Sequence, residues 1–289
     1  AASAEVMPIM GAVPIFTEVE ADSFNLDPSK LESALAAGQS ANIDVVGIIG
    51  VGLFGQPANY DAIRTFASTH GLWLIDDAAQ SFGAQWQGRP VGQLADVTCT
   101  SFFPAKPLGA YGDGGAVFTD DTKIAEIIRS CRVHGMGQNK YENVRIGMTG
   151  RLDSMQAVVL DAKLDIFADE LALRQQVADR YAALLENFVG VPVLSCGATS
   201  SWAQYVIKLP RGRDRTALIQ KMETAGVPTA IYYPVPMHRQ PAYAQYPVSG
   251  CHLPVTMDLC DRVLALPMHP YLEVAQQEHI AASLEQALA

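Results

Sequence analysis

The chain is organised around the segment Ser101-Phe-Phe-Pro-Ala-Lys-Pro-Leu-Gly-Ala-Tyr-Gly-Asp-Gly-Gly-Ala-Val-Phe-Thr119. Its pattern predicts a strand end, a lysine-containing loop, a glycine-rich turn and a second strand. Prolines on both sides of Lys106 restrict the backbone and exclude a helix there. Apolar neighbours would desolvate the amine, lower its pKa and leave more of it as the free nucleophile. A lysine that forms a Schiff base needs these properties, although a structural loop fits the pattern equally well.

A second segment, Leu72-Trp-Leu-Ile-Asp-Asp-Ala-Ala-Gln-Ser-Phe-Gly83, predicts an apolar strand that ends in two aspartates. Ligands of α/β sheets bind at this end of the strands. Asp76 is the weaker candidate of the two, because successive strand residues point to opposite faces. Asp77 could instead cap the segment that follows. Together with Lys106, however, it supplies the two groups that pyridoxal phosphate (PLP) needs: a lysine for the aldehyde and a carboxylate that keeps the pyridine nitrogen protonated.

Five short motifs follow one another along the chain: Asp77-Ala-Ala-Gln80, Ser101-x-x-x-x-Lys106, Tyr111-Gly-Asp-Gly-Gly115, Arg132-Val-His-Gly135 and Gly147-x-x-x-Arg-Leu-Asp-x-x-Gln-Ala157. In order and spacing they resemble the DegT/DnrJ/EryC1/StrS family of sugar-nucleotide aminotransferases, and the resemblance covers essentially the whole chain. It implies the α/β fold of type I PLP-dependent transferases, with a mostly parallel sheet in a large domain and a small α+β C-terminal domain. We expect the large PLP-binding domain over residues 1–165 and the small domain over 166–289.

The resemblance also implies roles for individual residues. Lys106 and Asp77 would be catalytic and bind the cofactor, Ser101 would bind its phosphate, and Gln80 would contact its ring hydroxyl. Thr149 stands where the family usually has an asparagine that the neighbouring subunit supplies to the phosphate, and threonine can still donate a hydrogen bond. The implied substrate residues are Arg151, His134, Tyr232, Tyr233 and His238. A structural alternative stays open for Gln80, as a buried amide bonded to the backbone, and for Arg151, as a salt-bridge partner at a helix start.

The implied activity is PLP-dependent transfer of an amino group, with glutamate as the donor, to a nucleotide-linked keto-sugar in surface polysaccharide or related glycan biosynthesis. The Phe-Phe-Pro-Ala-Lys-Pro-Leu-Gly form of the loop is most similar to members that aminate C3 of a UDP-linked sugar. The family further implies a homodimer with shared active sites. Two alternatives remain: a family dehydratase, in which histidine replaces the lysine, and a non-catalytic regulator that keeps the fold. Lys106 argues against the first, and its pairing with Asp77 argues against the second.

Composition narrows the remaining classes of function. The 289 residues are 49% hydrophobic and carry 20 basic against 30 acidic side chains, without a basic cluster, so nucleic-acid binding is not expected. There is no apolar run of about 18 residues, and we expect no membrane span. The cysteines form no CxxC pattern, which predicts reduced thiols in the cytoplasm and no structural metal site. They are Cys99, Cys131, Cys196, Cys251 and Cys260.

Alternating strand and helix patterns run through the chain. Strands are predicted over 13–20, 44–51, 72–76 and 205–209, and helices over 27–38, 59–70, 121–132, 153–187 and 215–225. The long helix would be the spine that joins the two domains. Family members carry a phosphate-binding block and a ring-stacking aromatic ahead of the segment that resembles Ala1–Gly11. We therefore expect residues 1–289 alone to be poorly soluble, to bind PLP weakly and not to transaminate, and we expect the upstream segment to restore all three properties.

Overall fold

The computed structural model describes residues 1–250 and 252–289, so Cys251 lies outside the described residues. The helices are α1 (Ala2–Ile9), α2 (Leu31–Ser40), α3 (Tyr60–His70), α4 (Thr122–Cys131), α5 (Ser154–Leu185), α6 (Arg215–Thr224), α7 (Pro254–Arg262) and α8 (Val274–Leu288). The strands are β1 (Gly47–Val51), β2 (Trp73–Asp77), β3 (Gln85–Trp86), β4 (Arg89–Pro90), β5 (Val97–Ser101), β6 (Gly115–Phe118), β7 (Tyr205–Lys208) and β8 (Val263–Leu266).

The main sheet has four strands in the order β1-β2-β5-β6. The strands β1, β2 and β5 are parallel, and β6 runs antiparallel to β5 at the edge. The register places Val51 beside Asp77 and Asp77 beside Cys99, so the carboxyl ends of three strands meet at one edge of the sheet. This mixed but mostly parallel α/β arrangement confirms the predicted fold class, and it puts Asp77 where such sheets bind ligands.

Several helix boundaries follow the capping residues of the sequence. The Asn59 side chain accepts a hydrogen bond from the Ala62 N–H at the start of α3, and that helix ends at Gly71 with φ of 66°. The Asp121 side chain accepts bonds from the N–H groups of Lys123 and Ile124 at the start of α4. Side-chain oxygens of Asn and Asp satisfy N–H groups that a helix start leaves free, and a positive φ favours glycine.

The strand predicted over 13–20 is wrong. Only isolated bridges occur there, between Phe16 and Val248 and between Val19 and Leu26. The segment instead delivers a carboxylate: Glu18 is 5% exposed and accepts hydrogen bonds from the N–H groups of Val255 and Thr256. Its backbone hydrogen bonds are divided between a distant loop, at Pro247 and Ser249, and a local turn, at Asn25 and Asp27, so no strand forms. Glu18 caps the start of α7.

The C-terminal part contains the antiparallel pair β7–β8, with α6, α8 and the second half of α5 around one apolar core between Val177 and Leu288. Two other core clusters lie between Leu31 and Leu94 and between Phe102 and Phe167, and a further one joins Phe24 and Phe54 to Val206, Leu259, Val263 and Ala265. The predicted division at 165/166 falls inside the continuous helix α5. Because the last of these clusters contains residues from both sides of 165/166, the cores do not separate at that point, and the two domains and their boundary stay predictions.

No helix in the described residues is long and apolar enough to cross a membrane. Nor do three His, Cys, Asp or Glu side chains of that part of the chain gather as ligands for a metal ion. Four cysteines within residues 1–250 and 252–289 are free thiols, namely Cys99, Cys131, Cys196 and Cys260.

Candidate active site

Asp77 is the last residue of β2, and its partly exposed side chain points away from that of Asp76. Its Oδ1 accepts a hydrogen bond of 3.1 Å from the Ala79 N–H. Its Oδ2 accepts one of 2.6 Å from the Ser3 hydroxyl in the first turn of α1. No helix begins directly after Asp77, so the carboxylate is not a helix cap and keeps lone pairs for a ligand.

Asp76 faces the other side of the sheet, where it is 0% exposed. The Tyr60 hydroxyl on α3 donates a hydrogen bond of 2.6 Å to Asp76 Oδ1, and the Thr98 hydroxyl lies 3.4 Å from Oδ2. Burial raises the pKa of Asp76 to about 6, although both of these hydrogen bonds act to lower it. Asp76 therefore belongs to the core beneath the sheet, and Asp77 is the carboxylate that a ligand can reach.

Lys106 lies in the loop that follows β5, in a partly buried position. Burial lowers the pKa of its amine, and the negative charge of Asp77 acts in the opposite direction. The two groups are thus close enough to interact through their charges, as the motif spacing predicted. The loop is a tight, non-helical turn in which the Lys106 N–H donates to the Phe103 carbonyl at 2.9 Å and the Ser101 hydroxyl accepts from the Phe103 N–H at 3.2 Å.

Two side chains of α5 fix the far end of this loop. Gln156 Oε1 accepts a hydrogen bond of 2.8 Å from the Tyr111 N–H. Lys163 Nζ donates a bond of 2.6 Å to the Gly109 carbonyl and lies 4.9 Å from the centre of the Tyr111 ring. A Cβ at position 109 would come within 2.5 Å of the Pro104 carbonyl oxygen, so this close approach requires glycine. Gln156 belongs to a recognised motif, but its role was not predicted.

Lys163 was missed entirely. Its only sequence signal is its place one heptad after Gln156 on α5, which puts both on one side of the helix.

The Gln80 side chain makes a backbone hydrogen bond, as in the structural alternative, but it is only partly buried, so this bond does not exclude a contact with a ligand. Gln80 Oε1 accepts a hydrogen bond of 2.8 Å from the N–H of Phe54, a non-glycine residue with φ of 61°. Its own carbonyl accepts a bond of 2.6 Å from the Ser201 hydroxyl. The Gln80 side chain also contacts the hydroxyl of Tyr233, whose pKa is raised chiefly by burial and in part by the charge of Asp77. Asp77, Lys106, Gln80 and Tyr233 therefore gather at one place.

The remaining predicted residues comprise an exposed pair and two residues of the segment that contains Tyr233. His134 and Thr149 are exposed and joined to each other by a contact of 3.0 Å between His134 Nε2 and the Thr149 hydroxyl. Tyr232 stacks edge-on against Tyr233, with ring centres 5.5 Å apart. His238 is buried, and both burial and the neighbouring charge of Arg239 lower its pKa.

Arg151 is exposed just ahead of α5. None of the hydrogen bonds and ion pairs in residues 1–250 and 252–289 involves its guanidinium. The salt bridge at the helix start, which was the structural alternative for Arg151, is therefore not formed.

Comparison with known proteins identifies relatives along nearly the full chain. The UDP-2-acetamido-2-deoxy-3-oxo-D-glucuronate aminotransferase of Pseudomonas aeruginosa is 42% identical over 284 residues, covering 98% of this chain and 76% of that protein. The pleiotropic regulatory protein of Geobacillus stearothermophilus is 37% identical over 278 residues, covering 95% and 72%.

Solved structures share the fold. A DegT DnrJ EryC1 StrS aminotransferase from Brucella abortus superposes with a TM-score of 0.94 at 44% identity, covering 98% of this chain and 75% of that one. NtdA from Bacillus subtilis, with bound cofactor PMP, gives 0.85 at 28% identity, covering 98% and 64%. A family model matches residues 1–285, and the chain belongs to the DegT/DnrJ/EryC1/StrS aminotransferase family.

Proposed function

We propose that this protein is a PLP-dependent aminotransferase that transfers an amino group from glutamate to C3 of a UDP-linked keto-sugar. The proposal rests mainly on the Lys106 amine. Burial lowers the pKa of this amine, and the amine lies within electrostatic range of the Asp77 carboxylate at the end of β2. The Pseudomonas aeruginosa relative is named for a UDP-linked 3-oxo sugar, which supports the choice of nucleotide and carbon. The PMP in the Bacillus subtilis structure supports the choice of cofactor.

The side chains present fit PLP. The Lys106 amine would bind its aldehyde, the free lone pairs of Asp77 would hold its ring nitrogen, and the Ser101 hydroxyl at the end of β5 would reach its phosphate. Bound PLP supplies a ring that accepts electrons when a proton leaves the carbon beside the amine. Whenever the Lys106 amine is not joined to the aldehyde, its lowered pKa leaves more of it unprotonated near neutral pH, so it can take up and return that proton. Gln80, already fixed by Phe54, would contact the ring hydroxyl.

Substrate binding would involve two groups of residues. Tyr233 reaches Gln80 beside the site, so Tyr233 and its stacked neighbour Tyr232 would line the sugar pocket, with His238 behind them. The second group comprises Arg151 and His134, which would contact the nucleotide. A chain of net charge −10 that binds a diphosphate must concentrate positive charge locally, and the exposed guanidinium of Arg151 can provide it.

The assembly would be a homodimer in which Thr149 of one subunit reaches the cofactor phosphate of the other. Exposed apolar side chains on both sides of Thr149 support this arrangement, including Ile146 at 97% and Met155 at 80% exposure. The free cysteines of the described residues suit the cytoplasm, where nucleotide sugars for surface polysaccharides and related glycans would be aminated.

The decisive experiment is reductive labelling followed by peptide mapping. After incubation with PLP, borohydride should attach a pyridoxyl group to one peptide, the one that contains Lys106. Lys106→Ala and Lys106→Arg should remove the label and the amino transfer, since neither methyl nor guanidinium forms the imine. Lys140→Ala, at an exposed lysine, should leave both unchanged. Label on another peptide, or none in folded protein, would refute the role of Lys106. Amino transfer over a panel of UDP- and dTDP-linked keto-sugars then tests the substrate.

A non-catalytic regulator is the second candidate, because one relative is named as a regulatory protein. If this candidate is right, protein that is loaded with PLP, as shown by labelling of Lys106, should turn over no keto-sugar nucleotide. Turnover that Lys106→Ala abolishes would exclude it.

A further inference from the structure

The Ser3 hydroxyl makes a contact that no sequence motif indicated. Ser3 lies 74 residues before Asp77, yet its hydroxyl donates a hydrogen bond of 2.6 Å to Asp77 Oδ2. This O–H···O distance lies in the short range of hydrogen bonds to ionised carboxylates. Both side chains are partly buried, so water competes less for the bond than it would at the surface.

The bond completes the orientation of the carboxylate. Asp77 Oδ1 already accepts from the Ala79 N–H at 3.1 Å, a local contact two residues along the chain. The terminal torsion of an aspartate is broad, so one local donor alone leaves the second oxygen free to turn. Ser3 fixes that oxygen from a different element, α1. In the part of the chain that the structure describes, it is the one side chain that donates a hydrogen bond to Asp77.

We propose that Ser3 is a positioning residue that holds the Asp77 carboxylate in the orientation required to bond the cofactor's ring nitrogen. The proposal rests on the role proposed for Asp77 above. A carboxylate has about four lone-pair positions, so the Ser3 and Ala79 bonds leave room for the ring nitrogen. Ser3 acts through Asp77 and not on the substrate, so its loss should affect the ring-nitrogen proton and turnover more than sugar binding.

The test compares Ser3→Ala and Ser3→Thr in the PLP-loaded protein, with Ser40→Ala as the matched control. Ser40 is exposed, and its hydroxyl bonds the Ala36 carbonyl at 2.9 Å within α2. Ser3→Ala should lower kcat about tenfold at nearly constant KM for the sugar, the loss expected for one hydrogen bond to a charged group. Its PLP dissociation constant should rise several-fold. Ser3→Thr keeps the hydroxyl and should restore both values, while Ser40→Ala should match wild type.

A spectroscopic measurement separates positioning from folding. With PLP labelled by 15N in the ring, NMR follows the ring-nitrogen proton directly. In Ser3→Ala the pKa of the ring nitrogen should be about one unit lower than in wild type, because a tenfold weaker affinity for the proton corresponds to one pKa unit. A purely structural role for Ser3 would lower the melting temperature and leave this titration unchanged, and that result would overturn the proposal.

A double-mutant cycle with Asp77→Asn distinguishes a failure of the role proposed for Ser3 from a failure of the role proposed for Asp77. If Ser3 acts through Asp77, then Ser3→Ala should add little to the loss already caused by Asp77→Asn. Fully additive losses would show that Ser3 acts by another route and would overturn the positioning role. If Asp77→Asn alone keeps wild-type turnover and ring-nitrogen titration, the proposed role of Asp77 fails, and that of Ser3 fails with it.

Discussion

Asp76 and Asp77 are chemically identical neighbours that the strand assigns to opposite environments. The Tyr60 hydroxyl bonds Asp76 in the buried layer under the sheet, where the side chain is 0% exposed. Asp77 lies at the accessible sheet edge with Lys106. Burial lowers the pKa of the Lys106 amine, and the negative charge of Asp77 partly opposes this shift. Strand alternation therefore separates a core carboxyl from a ligand-binding one, and the two should respond differently to loss of charge.

We expect Asp77→Asn to retain the fold and lose most of the activity. Asparagine keeps the size of the side chain but not the charge that holds the ring proton. One charge-assisted hydrogen bond is worth roughly 1.5–3 kcal/mol, which corresponds to a loss of about 10- to 100-fold in kcat. Steady-state kinetics with a keto-sugar nucleotide measure this loss, and circular dichroism checks the fold. A kcat within a factor of two of wild type would show that Asp77 is not the ring-nitrogen partner.

Asp76→Asn should change how stability depends on pH. The pKa of Asp76 is about 6 in the folded protein against 3.8 for an unperturbed carboxyl. Between these values the folded state keeps a proton that the unfolded chain has released, so stability falls as pH rises and the cost is complete above pH 6. This cost amounts to about 3 kcal/mol.

The asparagine variant lacks this titration. It should therefore gain about 2–3 kcal/mol relative to wild type between pH 4 and pH 7. Urea unfolding of both proteins at the two pH values measures the difference, in which the titration of all other groups cancels. Parallel stability profiles would contradict the raised pKa of Asp76.

At the scale of elements, the Lys106 loop depends on a helix that comes later in the chain. The loop makes a tight turn at Gly109, and α5 holds that turn through Gln156 and Lys163. The same helix continues into the C-terminal core at Val177 and Tyr181. Because one rigid helix contacts the reactive loop and the second core, α5 couples the position of Lys106 to the packing of the C-terminal part.

Lys163→Met should loosen this loop. Methionine keeps the apolar stem but cannot donate to the Gly109 carbonyl, which costs about 1–3 kcal/mol of stability. The variant should melt at a lower temperature and show less borohydride labelling at Lys106 at subsaturating PLP. Lys123→Met removes the same charge from an exposed position on α4 and is the matched control. Equal labelling and melting in both variants would mean that Lys163 does not support the loop.

The elements that sequence predicts well carry local signals. Asn59, Gly71 and Asp121 mark helix ends through bonds within their own helices, and the motif spacing brings Asp77 and Lys106 together. Sequence fails where the partner is distant. Glu18 caps a helix start more than 200 residues later, so its segment resembles an ordinary strand.

Contacts between distant residues at the candidate site could not be predicted for the same reason. The bonds from Ser3 to Asp77 and from Lys163 to Gly109 depend on how α1 and α5 pack against the sheet. Local periodicity and motif spacing carry no information on such packing. The helices α7 and α8 and the strand β8 were not predicted, although β8 is buried at every residue, since their type and limits depend on the C-terminal core.

At the scale of the whole molecule, exposed apolar side chains are concentrated in the segment that precedes α5 and in the first turns of that helix. Tyr141, Ile146, Met148, Met155 and Val158 are 86%, 97%, 68%, 80% and 69% exposed. Met155 and Val158 are three residues apart on α5 and therefore face the same way. Exposed apolar side chains that lie together typically mark a protein interface. Thr149 lies within the same stretch, so an interface here would place it against a second subunit.

Ile146→Asp should weaken the proposed dimer. A carboxylate at the most exposed of these positions would have to be desolvated on association, which should raise the dimer dissociation constant at least about tenfold. Sedimentation velocity over a concentration series measures the constant. Val274→Asp at the start of α8 is the matched control, because Val274 is also exposed, at 53%, but lies outside this stretch. If Thr149 completes the neighbouring site, dissociated Ile146→Asp should also bind PLP less tightly, and adding protein should restore the affinity. A monomeric wild type, or an Ile146→Asp variant that associates as strongly as Val274→Asp, would exclude this surface as the dimer interface.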